Sequence, residues 1–207
     1  MANSTEIEQL LRELTSKDAT ICQKAREKLV EIGNPAVPGL KKLLLSGKDW
    51  ERWEAAKTLS EMGDPEAVPA LVESLRDKQF EVRWLAAKGL IKTGWKSAVP
   101  VIESLIEHPG SVWMRDGSHH VLHDIAHGPM EDPLQPMLKS IKGIEPAVNI
   151  PLVGRKVLAE LKPLAEKLLR EEEEARRKAE EEAAQAEADK KAEEDLISRL
   201  EHELGND

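Results

Sequence analysis

The chain has no tyrosine, one phenylalanine, one cysteine and no long apolar run. Aromatic residues make up only 3% of its 207 residues, and apart from Phe80 they are tryptophans. A core so poor in rings has to be built from Leu, Ala, Val and Ile, which suits packed helices and disfavours a β-sandwich. A single cysteine excludes an internal disulfide framework and any CxxC metal knuckle. Cys22 falls in a helical apolar pattern with Ile21, Ala25 and Leu29 and reads as a small core residue. No stretch reaches the roughly 18–20 apolar residues that a membrane span requires. The opening "MANSTEIEQLLREL" lacks a basic segment followed by an apolar one, so no secretory signal is expected and a soluble, cytoplasmic protein is. The formal charge of −9 leaves no surplus of Lys and Arg for phosphate contacts, which argues against general nucleic-acid binding.

What is present is a period. "RWEAAKTLSEMGDPEAVPALVESL" (52–75) lies over "RWLAAKGLIKTGWKSAVPVIESL" (83–105), with Arg52/Arg83, Trp53/Trp84, Ala55/Ala86, Ala56/Ala87, Leu59/Leu90, Gly63/Gly94, Val68/Val99 and Pro69/Pro100 in register. An earlier copy keeps Ala25, Leu29, Gly33, Val37 and Pro38 with one residue fewer in its turn. Val82, Ala86, Ala87, Leu90 and Ile91 form one face of a helix. Gly94 offers the left-handed conformation that stops it. "AVP" then opens a second amphipathic helix, with proline in the first turn where a missing N–H costs nothing. Two such helices cannot bury both apolar faces alone, so successive pairs must stack into a solenoid.

These residues resemble HEAT repeats, specifically the bacterial short type also found in phycobilisome lyase subunits and in deoxyhypusine hydroxylase. The fold class expected is all-α, an α-solenoid of about five HEAT-like helix pairs (5–32, 36–62, 66–93, 97–127 and 131–161) with a long charged C-terminal helix. Two domains follow: a solenoid over 1–162 and an acidic helical tail over 163–207. From Arg170 to Asp195 the tail holds twelve acids, six bases, seven alanines and one glutamine. High helix propensity and many i, i+4 pairs predict a solvated rod. The sharper alternative is a coiled coil along the thin seam of Ala175, Ala179, Ala183 and Ala186. A last stripe, Leu196, Ile197, Leu200 and Leu204, is open to self-association, folding back or docking on a partner.

Four of the six histidines fall between His119 and His127. On one helix, His119, His120, His123 and His127 share an arc of roughly 100° opposite Val121, Leu122, Ile125 and Ala126. Spacing of i, i+4 at His119/His123 and His123/His127 is that of two imidazoles clamping a divalent transition metal, with Asp116 and Asp124 as nearby candidates for further ligands. Aligning Val121–Leu122 with Ala86–Ala87 places His119 at the Trp84 position and His123 at the Lys88 position. That gives two ladders, Trp53–Trp84–His119 and Lys57–Lys88–His123. The HEAT resemblance implies that these helices line the concave side. The tryptophans there either fill gaps between repeats or face a partner. Deoxyhypusine hydroxylase repeats resemble "RHEAA", with His-Glu dyads converging on two irons. Here "RWEAA", "RWLAA" and "SHHVL" leave only His119 of that set, which disfavours a di-iron hydroxylase.

No glycine-rich phosphate loop is present, and no catalytic residue is assigned. The leading expectation is a non-catalytic scaffold that binds a protein partner on its concave face through Trp53, Lys57, Trp84, Lys88, His119 and His123. The alternative is a metal- or tetrapyrrole-binding protein, oxidoreductase or chromophore-lyase-like, centred on His119, His120, His123 and His127.

Overall fold

In the computed structural model the described residues run from Ser4 to Leu204, with side chains described to Lys191 and at Glu194. Ten α-helices follow in order: α1 (Ser4–Leu14), α2 (Ala19–Ile32), α3 (Val37–Leu44), α4 (Asp49–Met62), α5 (Val68–Ser74), α6 (Phe80–Thr93), α7 (Ala98–Glu107), α8 (Val112–Ile125), α9 (Glu131–Lys142) and α10 (Pro146–Leu204). Among the described residues there is no strand. The helices come as five successive hairpins of an α-solenoid. The chain divides into two compact units, Met1–Lys162 and Pro163–Asp207.

The hairpins share one local anatomy. A short 3-10 turn precedes α3, α5, α7 and α9, and Pro38 and Pro69 sit in the first turns of α3 and α5. Three of the second helices, α2, α4 and α6, end on glycines with positive φ. Gly63 is left-handed, whereas Gly33 and Gly94 pair φ 71° with ψ −136° and −145°. That region is open essentially to glycine, so the stop signal works through a different conformation from the one anticipated for Gly94. The turn inside each of three hairpins is tied down by an arginine of the second helix. Arg52, Arg83 and Arg115 each donate from Nη1 to the carbonyl six residues earlier, on Ser46 (3.0 Å), Asp77 (2.8 Å) and Pro109 (2.9 Å). In α2 the equivalent residue is Cys22, whose thiol donates to the Leu14 carbonyl at 3.0 Å. Burial, then the adjacent Glu54, pushes that thiol up to about 12.

Leu14, Leu29, Leu40, Leu59, Leu71, Leu75, Leu90, Leu105 and Leu122 are fully buried between the two layers. Ala55, Ala56, Ala86 and Ala87 keep the second helices close together. Gly89 brings α6 against its neighbours: a Cβ there would meet Ser60 Cα at 3.1 Å and Leu71 Cδ1 at 2.8 Å. Helices α4, α6 and α8 pack on one another more extensively than α3, α5 and α7 do. Between α2 and α4 the link is ionic. Arg26 Nη1 meets Glu54 Oε2 at 2.8 Å, with Glu54 almost wholly buried, and Arg26 Nε lies 3.6 Å from Glu61.

The fifth hairpin keeps the order but not the seating of the others. α9 packs on α8. α10 has a buried stripe of Ile150, Gly154, Val157 and Leu161, and its Gly154 faces the first-layer helix α7: a Cβ there would fall 2.7 Å from Ile106 Cγ1, and Lys162 pairs with Glu103 at 2.8 Å. In the second unit, Lys167–Glu171, Arg176–Glu180, Arg177–Glu181 and Lys190–Glu194 pair at i, i+4 over 3.6–3.8 Å, each worth a few tenths of a kcal/mol. Ala175, Ala179, Ala183 and Ala186 are exposed. The side chains of Leu196, Ile197, Leu200 and Leu204, on which self-association was expected to rest, lie outside the described residues.

Candidate functional site

Helices α4, α6 and α8 are each 14 residues long and begin at Asp49, Phe80 and Val112. Equivalent positions are therefore 31 residues apart in the first step and 32 in the second. The buried sets agree: Val82, Ala86, Gly89 and Leu90 of α6 answer to Met114, Ser118, Val121 and Leu122 of α8. Arg115 holds its turn as Arg83 does. This corrects the alignment of Val121–Leu122 with Ala86–Ala87, which slipped by three residues. One residue is added between Pro100 and Arg115, and three residues amount to nearly one helical turn.

With the register set, four rows cross the outward face of the second layer. The first holds Trp50, Glu81 and Trp113; the second Trp53, Trp84 and Asp116. The third holds Lys57, Lys88 and His120; the fourth Glu61, Lys92 and Asp124. His120, not His123, thus continues the lysine ladder, and Asp116, not His119, follows the two tryptophans. His119 takes the place of the buried Ala56 and Ala87. It is half-buried, and that desolvation, with Lys142, His123 and His120 nearby, holds its imidazole below the ordinary value while Asp116 opposes the shift.

The rings form two groups, one on α4 and one that joins α6 to α8. Trp50 stacks on Trp53 at 5.1 Å between centroids, Phe80 on Trp84 at 6.4 Å, and Trp84 on His120 across to α8 at 5.1 Å. Lys57 Nζ lies 4.8 Å above the Trp53 ring. The Arg83 guanidinium lies 5.7 Å from Phe80 and 4.6 Å from Trp113, joining α6 to α8. Trp50, Phe80, Trp84 and Trp113 keep between 46% and 62% of their surface exposed, and Trp53 is half-buried. Every aromatic residue except Trp95 lies on this one face.

Trp53, Trp84, Lys57 and Lys88 were legible from the repeat. Trp50, Phe80, Arg83 and Trp113 were missed, although Trp50 and Phe80 precede Trp53 and Trp84 by three and four residues, the spacing that puts side chains on one helix face. Trp113 could have been found only with the correct register for α8.

The histidines do not form the single helical face expected. α8 ends at Ile125, and His127 lies beyond it with φ −140° and ψ 162°. Its Nδ1 is 3.1 Å from the Asp124 carbonyl, and His123 Nδ1 is 3.4 Å from the Asp124 carboxylate. His119 and His123 do meet, but as rings stacked at 5.9 Å with 22° between their planes. Among the described residues, no three or more His, Cys, Asp or Glu side chains gather as a metal shell. Nor, among them, is any helix long and apolar enough to cross a membrane.

No curated protein matches the sequence. Among solved structures, the complex of CpcE and CpcF of phycocyanin lyase from Nostoc sp. PCC7120 is similar at 22% identity and a TM-score of 0.50, over 73% of this chain and 99% of that one. An engineered protein is 21% identical over 75% of this chain and 78% of its own, with a TM-score of 0.41. A designed armadillo repeat protein in complex with the peptide (KR)4 is 18% identical over 77% and 89%, with a TM-score of 0.40. The likeness to the lyase complex is one of fold. The family model for HEAT repeats matches residues 4–90 and again 37–122, which together exceed half of the sequence, and the chain belongs to the HEAT-repeat family.

Proposed function

We propose that the protein is a scaffold that binds a protein partner across α4, α6 and α8 through Trp50, Trp53, Phe80, Trp84 and Trp113. One observation carries the reading: a chain with 3% aromatic residues leaves nearly all of them on one solvent-facing band. Rings held in water add little to the stability of the solenoid, and Trp and Arg are the side chains that dominate binding energy at interfaces. Four of the five rings are also stacked in pairs, and Trp113 lies under the Arg83 guanidinium, which limits the rotamer freedom lost on association.

The test is the double substitution Trp84→Ala with Trp113→Ala. Both side chains are about half exposed and lie outside the core, so helix content should be unchanged. Partner affinity should fall by about 30-fold or more, the loss of at least one hot spot. The assay is quantitative co-purification from the native host with wild-type and variant baits, followed by titration of each recovered protein against purified chains. A variant that stays folded and keeps every partner at wild-type affinity refutes the reading.

A further inference from the structure

The charges on this face are arranged as well as the rings. The third row, Lys57, Lys88 and His120, contains no carboxylate, and among the described residues neither lysine is in an ion pair. Arg83 is held by two backbone carbonyls and by the faces of Phe80 and Trp113, so no carboxylate neutralises it either. Of the acids on this face, Glu81 and Asp116 stand in the ring rows, and Glu61 and Asp124 stand in the fourth row with Lys92. A polyphosphate would be repelled there, whereas a chain alternating apolar and acidic side chains can pass them.

We infer that the band takes an extended acidic peptide segment of the partner, laying apolar side chains on the Trp50/Trp53 and Phe80/Trp84 ring pairs and carboxylates on Lys57, Lys88 and Arg83. The inference rests on the protein-binding reading above. Packed helices lie about 8–10 Å apart and an extended chain advances about 3.3 Å per residue. Such a segment therefore offers about three residues to each helix, and some seven to nine residues span α4 to α8. Acidic side chains steer it to the basic row, and the attraction weakens with salt.

The experiment is a selection of random nine-residue peptides displayed on phage against the full chain, subtracted against the Trp84→Ala/Trp113→Ala variant. Winners are synthesised with a fluorescein label and titrated by anisotropy at low and high salt. The expected winners are acidic, with an apolar residue about every third position. Their affinity should fall about tenfold or more in Lys57→Glu/Lys88→Glu, and the charge-reversed peptides should regain it in that same variant, which shows that the variant is folded. Neutral or basic winners that depend on Trp84 and Trp113 overturn the inference and leave the protein-binding reading standing. No winner that depends on those tryptophans, or an oligothymidylate bound more tightly than any peptide and lost in the same variant, overturns both.

Discussion

The Arg26–Glu54 pair fastens the first hairpin to the rest of the solenoid, and removing one member tests how. Glu54 is 1% exposed, and Arg26 Nη1 reaches it at 2.8 Å. In Glu54→Ala the guanidinium would face a cavity and one more distant carboxylate, Glu61 at 3.6 Å. Breaking a buried pair by losing one partner costs about 3–5 kcal/mol, because the remaining charge is left without compensation. Arg26 keeps Glu61 and an edge in water, so the lower end, about 3 kcal/mol, is expected. For a unit of this size 1 kcal/mol moves Tm by about 2–4 °C, so the melting point should drop by about 6–12 °C. Urea unfolding followed by circular dichroism measures the cost directly. Arg26→Met with Glu54→Leu should recover all but about 1 kcal/mol, since apolar residues of similar volume replace buried pairs well. A loss below about 1 kcal/mol in Glu54→Ala, or a double variant no better than the single one, would show that the pair is not what joins α2 to α4.

Gly89→Ala should destabilise by about 1–3 kcal/mol although alanine is the better helix former by about 1 kcal/mol, because the new methyl has to displace the Ser60 backbone; urea unfolding gives the sign. His119 is held below its ordinary value in the fold, so on acidification the unfolded chain takes up its proton first. Stability contributed by the neutral imidazole is complete above the ordinary histidine value, and it is lost as pH falls through that value to the lower one in the fold. His119→Gln should flatten that part of a stability-against-pH curve, and an unchanged slope would place the cause elsewhere. Cys22, with its thiol raised to about 12, should react with a disulfide reagent near pH 8 only after urea unfolds the chain; stoichiometric labelling of the folded protein would contradict its burial.

The four rows explain how one face can be both well anchored and rich in exposed rings. Arg83 makes the link: its carbonyl bonds lock the turn before α6, and the same guanidinium lies over Trp113 of the next repeat. A residue placed for folding thereby orients the ring surface. That coupling accounts for rings that are stacked yet left open to solvent on α6 and α8.

Local chemistry wrote the period into the chain. Apolar spacing, the glycine stops and the early prolines act within a few residues, so the hairpins, their order and the Trp53/Trp84 and Lys57/Lys88 ladders could be read directly. The register of α8 could not. A slip of three residues turns a helix by about 300°, only some 60° short of a full turn, so Val121–Leu122 imitates Ala86–Ala87 almost as well as the true partners do. What separates the two is Arg115 reaching the Pro109 carbonyl, a contact that exists only once the turn is folded. The end of α8 was hidden too, because Ala126 caps it and the glycine comes two residues later. Whether a tryptophan fills a gap or faces solvent, and whether α10 rests on α7, depends on how neighbouring helices approach one another. Those distances belong to the packed array and to no single segment of sequence.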